Sequence, residues 1–491
     1  MMIVKRVSSR LFKTLPIAAA VFSALANGAK IEVTPSVGMR VTHTDNVELA
    51  KTSKENATIG SLYAAVKASV DGNGGSLNLN YRGTRAMYSH DSDRNSYFNS
   101  LQFKANKRLN NSGFSMSAEA TVDNVARSRR RDANDDILTG DTVTNRRAST
   151  RLMYDNGGRG YVSLGADAGA TIRDASDDEG NSYGYNAGIN LGQGTRVENY
   201  FWSLNYDYQK DEARGGSRNN QSHKISGDSG LAQVYGFAPT VNYFWEKYEE
   251  KGFDDEEDRD RTFGRVGPGL RYYIDRKSFV ELNYNFVVEG EGNDSWGGKA
   301  ELNPSRNTKI SANYSKRVFG NAYDVSVRHK SKRLTNTIRY SEELSSFERD
   351  FFVEDEIIED YSLRKVLDWT SALKMRRSTV SLSLTSTRRE RNDANGLPLN
   401  DDSYGATVSY SRSITRTTQF SSSFQYSKYQ FEDSQQQKQN DYYRRFSLAM
   451  SHSFLQSLSL SYGYQFSNRS SNEDDFGYEE NRAYINLNKS F

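Results

Sequence analysis

Two short segments place serine in settings that resemble hydrolase motifs. Residues 180–184, with Ser182 at the centre, follow the G-x-S-x-G pattern, and Ser229 lies within Gly-Asp-Ser-Gly. The first pattern works as a sharp elbow between a strand and a helix, whereas here it leads from a polar loop into a strand. The five histidines are scattered, and none has the H-E-x-x-H spacing of a zinc site. We therefore expect no enzyme, with no catalytic residue, metal site or cofactor.

A second group of candidate functional residues is basic. They lie at alternate, polar positions in the second half of the chain: Arg317, Arg328, Lys330, Lys332, Arg339, Arg376 and Arg389. Gathered in one channel, they would favour an anionic or polyhydroxylated solute through charge-assisted hydrogen bonds. Aromatic residues at the same polar positions, Phe244 among them, could stack on sugar rings. The alternative is that these cations pair with Asp and Glu across a wide interior and fix its shape.

The elements that would position these side chains are strands. Residues 458–467 alternate leucine or aromatic residues with Ser, Gly and Gln, and the same alternation recurs at 162–173 and 280–288. A period of two indicates β-structure. No later stretch approaches the 18 consecutive apolar residues that would indicate a membrane-spanning helix.

The connections between these runs alternate in length. Short turns such as 72–75 and 157–160 exchange with long acidic segments such as 251–261 and 348–363. This rhythm is typical of transmembrane barrels, whose apolar face meets lipid and whose polar face lines the lumen. It predicts an all-β, single-chain, transmembrane antiparallel β-barrel of about 24 strands (roughly 22–24) over residues 30–491, in the outer membrane of a Gram-negative bacterium. A soluble β-sandwich is the disfavoured alternative.

The beginning of the chain predicts export from the cytoplasm. Four basic residues precede an apolar stretch at 15–26, which indicates a signal peptide over 1–26, cleaved after Ala26 or alternatively after Ala29. Loss of those four residues changes the formal net charge from +3 to 3 − 4 = −1, so the apparent basicity does not indicate nucleic-acid binding. The chain has no Cys, which excludes disulfides and thiol catalysis.

Beyond the leader, the chain opens with Thr34-Pro35-Ser36 and continues to Thr44-Asp45-Asn46. This arrangement resembles the opening of the beta-barrel porin 2 type family, outer-membrane barrels found with exopolysaccharide gene clusters, including those of PEP-CTERM systems. The terminal Phe491, in phase with the apolar positions of the last strand, resembles the signal that the barrel-assembly machinery recognises. The resemblance implies a role in exporting or anchoring polysaccharide and supplies no functional residues.

Together these observations predict a conduit for exopolysaccharide or biofilm-matrix export, with the seven basic residues along the substrate path. Two alternatives stay open: a passive diffusion porin for small solutes or sugars, and a structural surface anchor for matrix polysaccharide. The expected partners are outer-membrane lipid and lipopolysaccharide, polysaccharide, the barrel-assembly machinery and a periplasmic export partner. Nucleic acid is not expected.

Overall fold

The computed structural model describes residues 29–491, apart from 73, 110–111, 129–133, 179, 215–218, 252–258, 346–360, 393–397, 433–436, 455–456 and 474–475. The predicted signal peptide over 1–26 therefore lies outside the described residues. The same holds for most of the two acidic segments at 251–261 and 348–363.

Twenty-four strands, β1 to β24, follow one another along the chain. Their bounds are β1 Lys30–Thr44, β2 Ala57–Gly72, β3 Gly75–Tyr88, β4 Ser96–Arg108, β5 Phe114–Ala126, β6 Thr142–Asp155, β7 Val162–Ala175, β8 Ser182–Gln193, β9 Tyr200–Ala213, β10 Asn219–Leu231, β11 Phe237–Lys251, β12 Arg259–Asp275, β13 Ser278–Glu289, β14 Ser295–Ser305, β15 Thr308–Arg317, β16 Gly320–Lys330, β17 Leu334–Ser345, β18 Ser362–Lys374, β19 Ser378–Asn392, β20 Pro398–Ser413, β21 Thr418–Glu432, β22 Lys438–Phe454, β23 Leu458–Ser471 and β24 Tyr478–Ser490. Among the described residues, no helix is long and apolar enough to cross a membrane.

The sheet is closed. Each strand pairs antiparallel with the next one in the chain, and β24 pairs with β1 from Ser36↔Ser490 to Thr44↔Arg482. Closure leaves no edge strand, so that backbone N–H and C=O groups are satisfied within the sheet, as the hydrocarbon core of a membrane requires. This confirms the predicted all-β antiparallel barrel and its number of strands.

The apolar positions of the strands face outward. On β1, Val37, Met39 and Val41 are each about half exposed, at 48%, 50% and 48%, whereas the next residue, Thr42, is fully buried. A soluble sandwich would bury these apolar residues between two sheets. An apolar exterior around a polar interior is the arrangement of a barrel in lipid.

The two ends of the barrel differ in their connections. At the end that carries both termini, the turns have between two residues, as at 276–277, and six residues, as at 156–161. At the opposite end the connections reach 16 residues, at 346–361. Short turns mark the periplasmic side of outer-membrane barrels, so both termini lie in the periplasm. One connection at the extracellular end departs from this rule, because only residues 318–319 join β15 to β16.

Candidate functional site in the barrel lumen

Part of the predicted basic group lies on the lumen side of β16 and β17, near the periplasm. Val325 and Val327 belong to the outward, apolar parity of β16, which places Arg328 and Lys330 on the opposite, lumen-facing parity. Arg339 on β17 pairs with Ser326 and so faces the lumen beside them. Two more predicted residues, Lys332 and Arg376, lie in the periplasmic turns after β16 and β18 and are exposed.

The structure places the other two predicted residues elsewhere. Arg317 pairs with Gly320, whereas Arg328 pairs with Lys309, eight positions along the same ladder (317 − 309 = 8), or about 26 Å. Arg389 lies in the extracellular half of β19, where it is fully buried and forms a salt bridge with Asp401. The seven residues therefore do not form one patch. Alternation along a strand specifies which face a side chain occupies but not its height in the barrel.

The tip of the β15–β16 hairpin contacts the lumen face of β11. Nη2 of Arg317 donates to the Glu246 carboxylate at 2.6 Å. The backbone N–H of Val318 donates to the same carboxylate at 2.9 Å. Glu246 is completely buried. Because β11 and β15 are four strands apart in the 24-stranded sheet, this contact spans one sector of the lumen and narrows it there; we call it the Arg317–Glu246 bridge.

Phe244 lies two residues before Glu246 on the same face and is surrounded by cations. The ring centroid is 5.7 Å from Nζ of Lys224, 5.1 Å from Cζ of Arg265 and 5.7 Å from Cζ of Arg317. Within the described part of the chain, neither Lys224 nor Arg265 forms a salt bridge. Three cations thus converge on one aromatic face and one carboxylate, a geometry in which cation–π attraction adds to the ionic contact.

Two cavities flank the bridge. The cavity on the extracellular side has a volume of ≈ 610 Å³ and is lined by Arg151, Asp167 and Tyr208, among others. The cavity on the periplasmic side has a volume of ≈ 390 Å³, and its lining includes Asn242 and Lys299. Side chains at the level of the bridge line both cavities: Lys224, Arg317, Asp324 and Glu342. The bridge therefore separates two polar spaces in this sector of the lumen.

The charges around the larger cavity are mixed. Arg151 Nη2 lies 2.8 Å from the Asp167 carboxylate, and Arg173 Nη1 lies 2.7 Å from that of Asp211. Such paired charges match the interpretation in which arginines bridge acids across the interior and hold its shape. Among the described residues that line the two cavities and the bridge, the cations without an ion-pair partner are Lys224 and Arg265, next to Phe244, and Lys299 on the periplasmic side.

Residues 134–141 of the extracellular loop between β5 and β6 fold into the lumen. Arg482 on β24 donates to the Asp136 carboxylate at 2.5 Å and to Thr139 Oγ1 at 2.6 Å. On the opposite side of the loop, the Tyr88 hydroxyl donates to the carbonyl of Leu138 at 2.8 Å. Burial by itself raises the pKa of Asp136, but the Arg482 guanidinium and the N–H of Leu138 outweigh it and hold that pKa below its usual range. The loop is thus fixed by a buried ion pair inside the extracellular entrance.

Sequence reasoning placed Phe244 at a polar, lumen-facing position without connecting it to Arg317, and it did not include Lys224. One signal in the sequence was available. Only two residues, Val318 and Phe319, separate β15 from β16 at the end where the other connections are longer. A short connection at that end leaves a low hairpin tip, which can lean into the lumen.

A closed 24-stranded barrel with an apolar exterior and a polar lumen is an outer-membrane protein of a Gram-negative bacterium. Solved structures similar to it include the FrpB iron transporter from Neisseria meningitidis in its apoprotein form, at 9% identity, with 96% of this chain and 83% of that chain covered and a TM-score of 0.49. The ferric-catecholate import receptor Fiu from E. coli K12 aligns at 10% identity over 93% and 81% of the two chains, with a TM-score of 0.43. OmpT of Vibrio cholerae, with loop L8 deleted, aligns at 9% identity over 95% and 100%, with a TM-score of 0.33.

Similarities this distant assign no activity to the chain. No family model matches it. No curated protein sequence matches it either. The likeness of the first strand to the beta-barrel porin 2 type family therefore stays a prediction.

Proposed function

We propose that this barrel is a conduit for polysaccharide across the outer membrane in exopolysaccharide or biofilm-matrix export. The observation that carries the proposal is the cluster at Phe244, where an aromatic face and the cations of Lys224, Arg265 and Arg317 lie between two polar cavities. Sugars present apolar ring faces together with hydroxyl or carboxylate groups, and this combination of side chains satisfies both.

A polymer can pass this sector only when the Arg317–Glu246 bridge opens. The tip of the β15–β16 hairpin is held to β11 by side-chain contacts with Glu246 and by the single N–H of Val318, and not by a strand ladder. An anionic group on the polymer could replace the Glu246 carboxylate as the partner of Arg317. The exchange gives Arg317 a new anionic partner, which offsets part of the cost of separating it from Glu246.

The same bridge supports a second candidate, the passive diffusion porin. A lumen that is narrowed by an ion pair between two parts of its wall admits small solutes more readily than a chain of sugars. The two candidates differ in whether the bridge stays closed during transport.

The test compares cells that carry the gene with cells from which it is deleted. The conduit function predicts that deletion abolishes secretion of matrix polysaccharide, measured in the culture medium and on the cell surface, and leaves uptake of small sugars unchanged. Restoration of secretion by the full-length protein controls for effects on neighbouring genes. Impaired sugar uptake with normal matrix secretion would reject the conduit in favour of the diffusion porin.

A further inference from the structure

The periplasmic turns between β12 and β21 carry charge of one sign. In these five consecutive turns, 276–277, 306–307, 331–333, 375–377 and 414–417, eight residues are basic and none is acidic. The eight are Arg276, Lys277, Arg306, Lys332, Arg333, Arg376, Arg377 and Arg416. All are exposed, and none forms a salt bridge with a described residue. We call this surface the basic arc.

The arc covers one side of the rim only. The five turns between β2 and β11, namely 73–74, 109–113, 156–161, 194–199 and 232–236, contain Arg159, Arg196 and Glu198 as their charged residues, a net charge of 2 − 1 = +1 against +8 in the arc. Lipid surrounds a barrel on all sides, so a role in binding headgroups would call for cations around the whole rim. A one-sided arrangement indicates a ligand that approaches from one direction.

The arc continues into the lumen. Lys309 on β15 pairs with Arg328 on β16, and both lie on the lumen-facing parity a few residues above the turns. Lys330 follows on the same face. Glu301 contacts Lys309 at 3.7 Å, whereas Arg328 and Lys330 form no salt bridge among the described residues. A ligand held at the arc therefore meets further free cations as it enters the barrel.

The spacing of the turns makes the arc act as one surface. Neighbouring turns are two strands apart, about 10 Å, which is close to the Debye length of about 8 Å at physiological ionic strength. Their potentials overlap, and the five turns together extend over about 40 Å. An extended chain with regularly repeated negative charges can contact several turns at once, and each contact raises the effective concentration for the next.

We propose that the basic arc captures an anionic polysaccharide, one that carries carboxylate or phosphate groups, on the periplasmic side and delivers it to the lumen at Arg328 and Lys330. This inference rests on the proposed conduit function. It adds to that function a charge for the substrate and the periplasmic surface that captures it.

The test uses the purified full-length barrel and two probes, polygalacturonate as a polyanion and dextran as a neutral polymer. The arc variant is K332Q/R333Q/R376Q/R377Q. A second arc variant, R376Q/R377Q, removes two charges, and its matched control is R159Q/R196Q, which removes two exposed turn cations from the other side of the rim and should bind more tightly than R376Q/R377Q does. Polygalacturonate should bind the wild type with an affinity that falls as salt rises. The arc variant should bind at least about tenfold more weakly, and the control should bind as the wild type does. Equal binding of dextran, or an arc variant with unchanged affinity, would overturn the proposal.

Sidedness provides an independent measurement. In planar bilayers, polygalacturonate should reduce the wild-type current when it is added on the periplasmic side. A block from the extracellular side alone would contradict capture at the arc. If the arc variant loses matrix export but binds the polymer as the wild type does, the proposal is also rejected. That result would favour an acidic protein as the ligand of the arc.

The outcomes separate this inference from the function on which it rests. If deletion of the gene leaves matrix secretion intact, the conduit function fails. If deletion abolishes secretion but the arc variant still binds polygalacturonate as the wild type does, the conduit function stands and capture at the arc is rejected.

Discussion

The Asp45 carboxylate accepts one hydrogen bond from the backbone N–H of Asn481 at 2.7 Å and another from its side-chain amide at 2.8 Å. These bonds join the residue after β1 to the last strand of the barrel. Thr44 adds a bond from its hydroxyl to Glu480 at 2.8 Å, and Asn46 donates to the carbonyl of Glu479 at 2.9 Å. The Thr44-Asp45-Asn46 segment therefore closes the extracellular end of the seam between β1 and β24.

The other half of the family-like pattern closes the periplasmic end of the same seam. The N–H of Phe491 donates to the carbonyl of Pro35 at 3.0 Å, and the ladder between β1 and β24 ends one residue further on, at Ser36↔Ser490. Proline has no N–H to donate. Pro35 lies just beyond the end of the ladder, where β24 has no strand residue that would accept a hydrogen bond from it. The two motifs, Thr34-Pro35-Ser36 and Thr44-Asp45-Asn46, thus bracket the closure of the barrel.

Replacing Asp45 by alanine should loosen this seam. The change removes the acceptor of both Asn481 donors, and a hydrogen bond to a charged group contributes about 1.5–3 kcal/mol. We expect a lower midpoint of unfolding in urea for D45A in lipid vesicles, followed by tryptophan fluorescence. Glu473 is an exposed acid in the adjacent loop, and E473A should unfold as the wild type does. Equal midpoints for D45A and the wild type would show that the seam does not depend on Asp45.

Acidification should release residues 134–141 of the loop between β5 and β6 from the lumen. Since Arg482 and the N–H of Leu138 hold the pKa of Asp136 below its usual value despite burial, the stabilisation is complete above the unfolded pKa of about 4 and is lost as pH falls through the lower folded value. The groups that face this carboxylate include Arg482, Glu480 and Arg445. We expect hydrogen exchange at Gly140, corrected for the intrinsic rate, to stay constant from pH 7 to about 5 and to accelerate near pH 3.

A variant separates this carboxylate from other acid effects. D136N should weaken loop docking by about 2 kcal/mol, which corresponds to roughly 30-fold faster exchange at Gly140 at neutral pH. R127Q removes an exposed ion pair with Asp141 at the base of the same loop, and such pairs contribute little. If R127Q accelerates exchange as much as D136N, the loop is not fixed by the Asp136–Arg482 contact.

Neutralising Glu246 should shift the selectivity of the pore toward anions. E246Q keeps the size of the side chain but removes the carboxylate that binds Arg317 and lies opposite Lys224 in the sheet, next to Phe244. The anion-to-cation permeability ratio, obtained from the reversal potential in a KCl gradient across a planar bilayer, should rise. E291Q removes an exposed acid from the loop between β13 and β14 and should leave the ratio unchanged. An unchanged ratio in E246Q would mean that ions do not pass through this sector.

The period of two in the sequence was sufficient to predict the barrel, because each alternating run forms a strand and short turns force neighbouring strands to pair. It did not predict the Arg317–Glu246 bridge, whose partners are 71 residues apart along the chain. That contact depends on how far the β15–β16 hairpin leans into the lumen. Likewise, the position of residues 134–141 depends on the buried pair between Asp136 and Arg482. The height of a basic residue is set by the stagger of the strands, which explains why Arg317 and Arg328 share a parity but not a site.

The last prediction tests the assigned faces with two consecutive residues near the middle of β16. Val325 pairs with Tyr340 on the outward side, and Ser326 pairs with Arg339 on the lumen side. A lysine on the lipid face near the bilayer midplane costs about 2–4 kcal/mol, whereas substitutions on the lumen face change selectivity. V325K should therefore destabilise the barrel and lower its free energy of unfolding in vesicles, measured by urea titration. S326K should fold nearly as the wild type does and raise the preference for anions. The two variants add the same charge at the same depth, so equal losses of stability would contradict the assignment of the faces, and a larger loss in S326K would invert it.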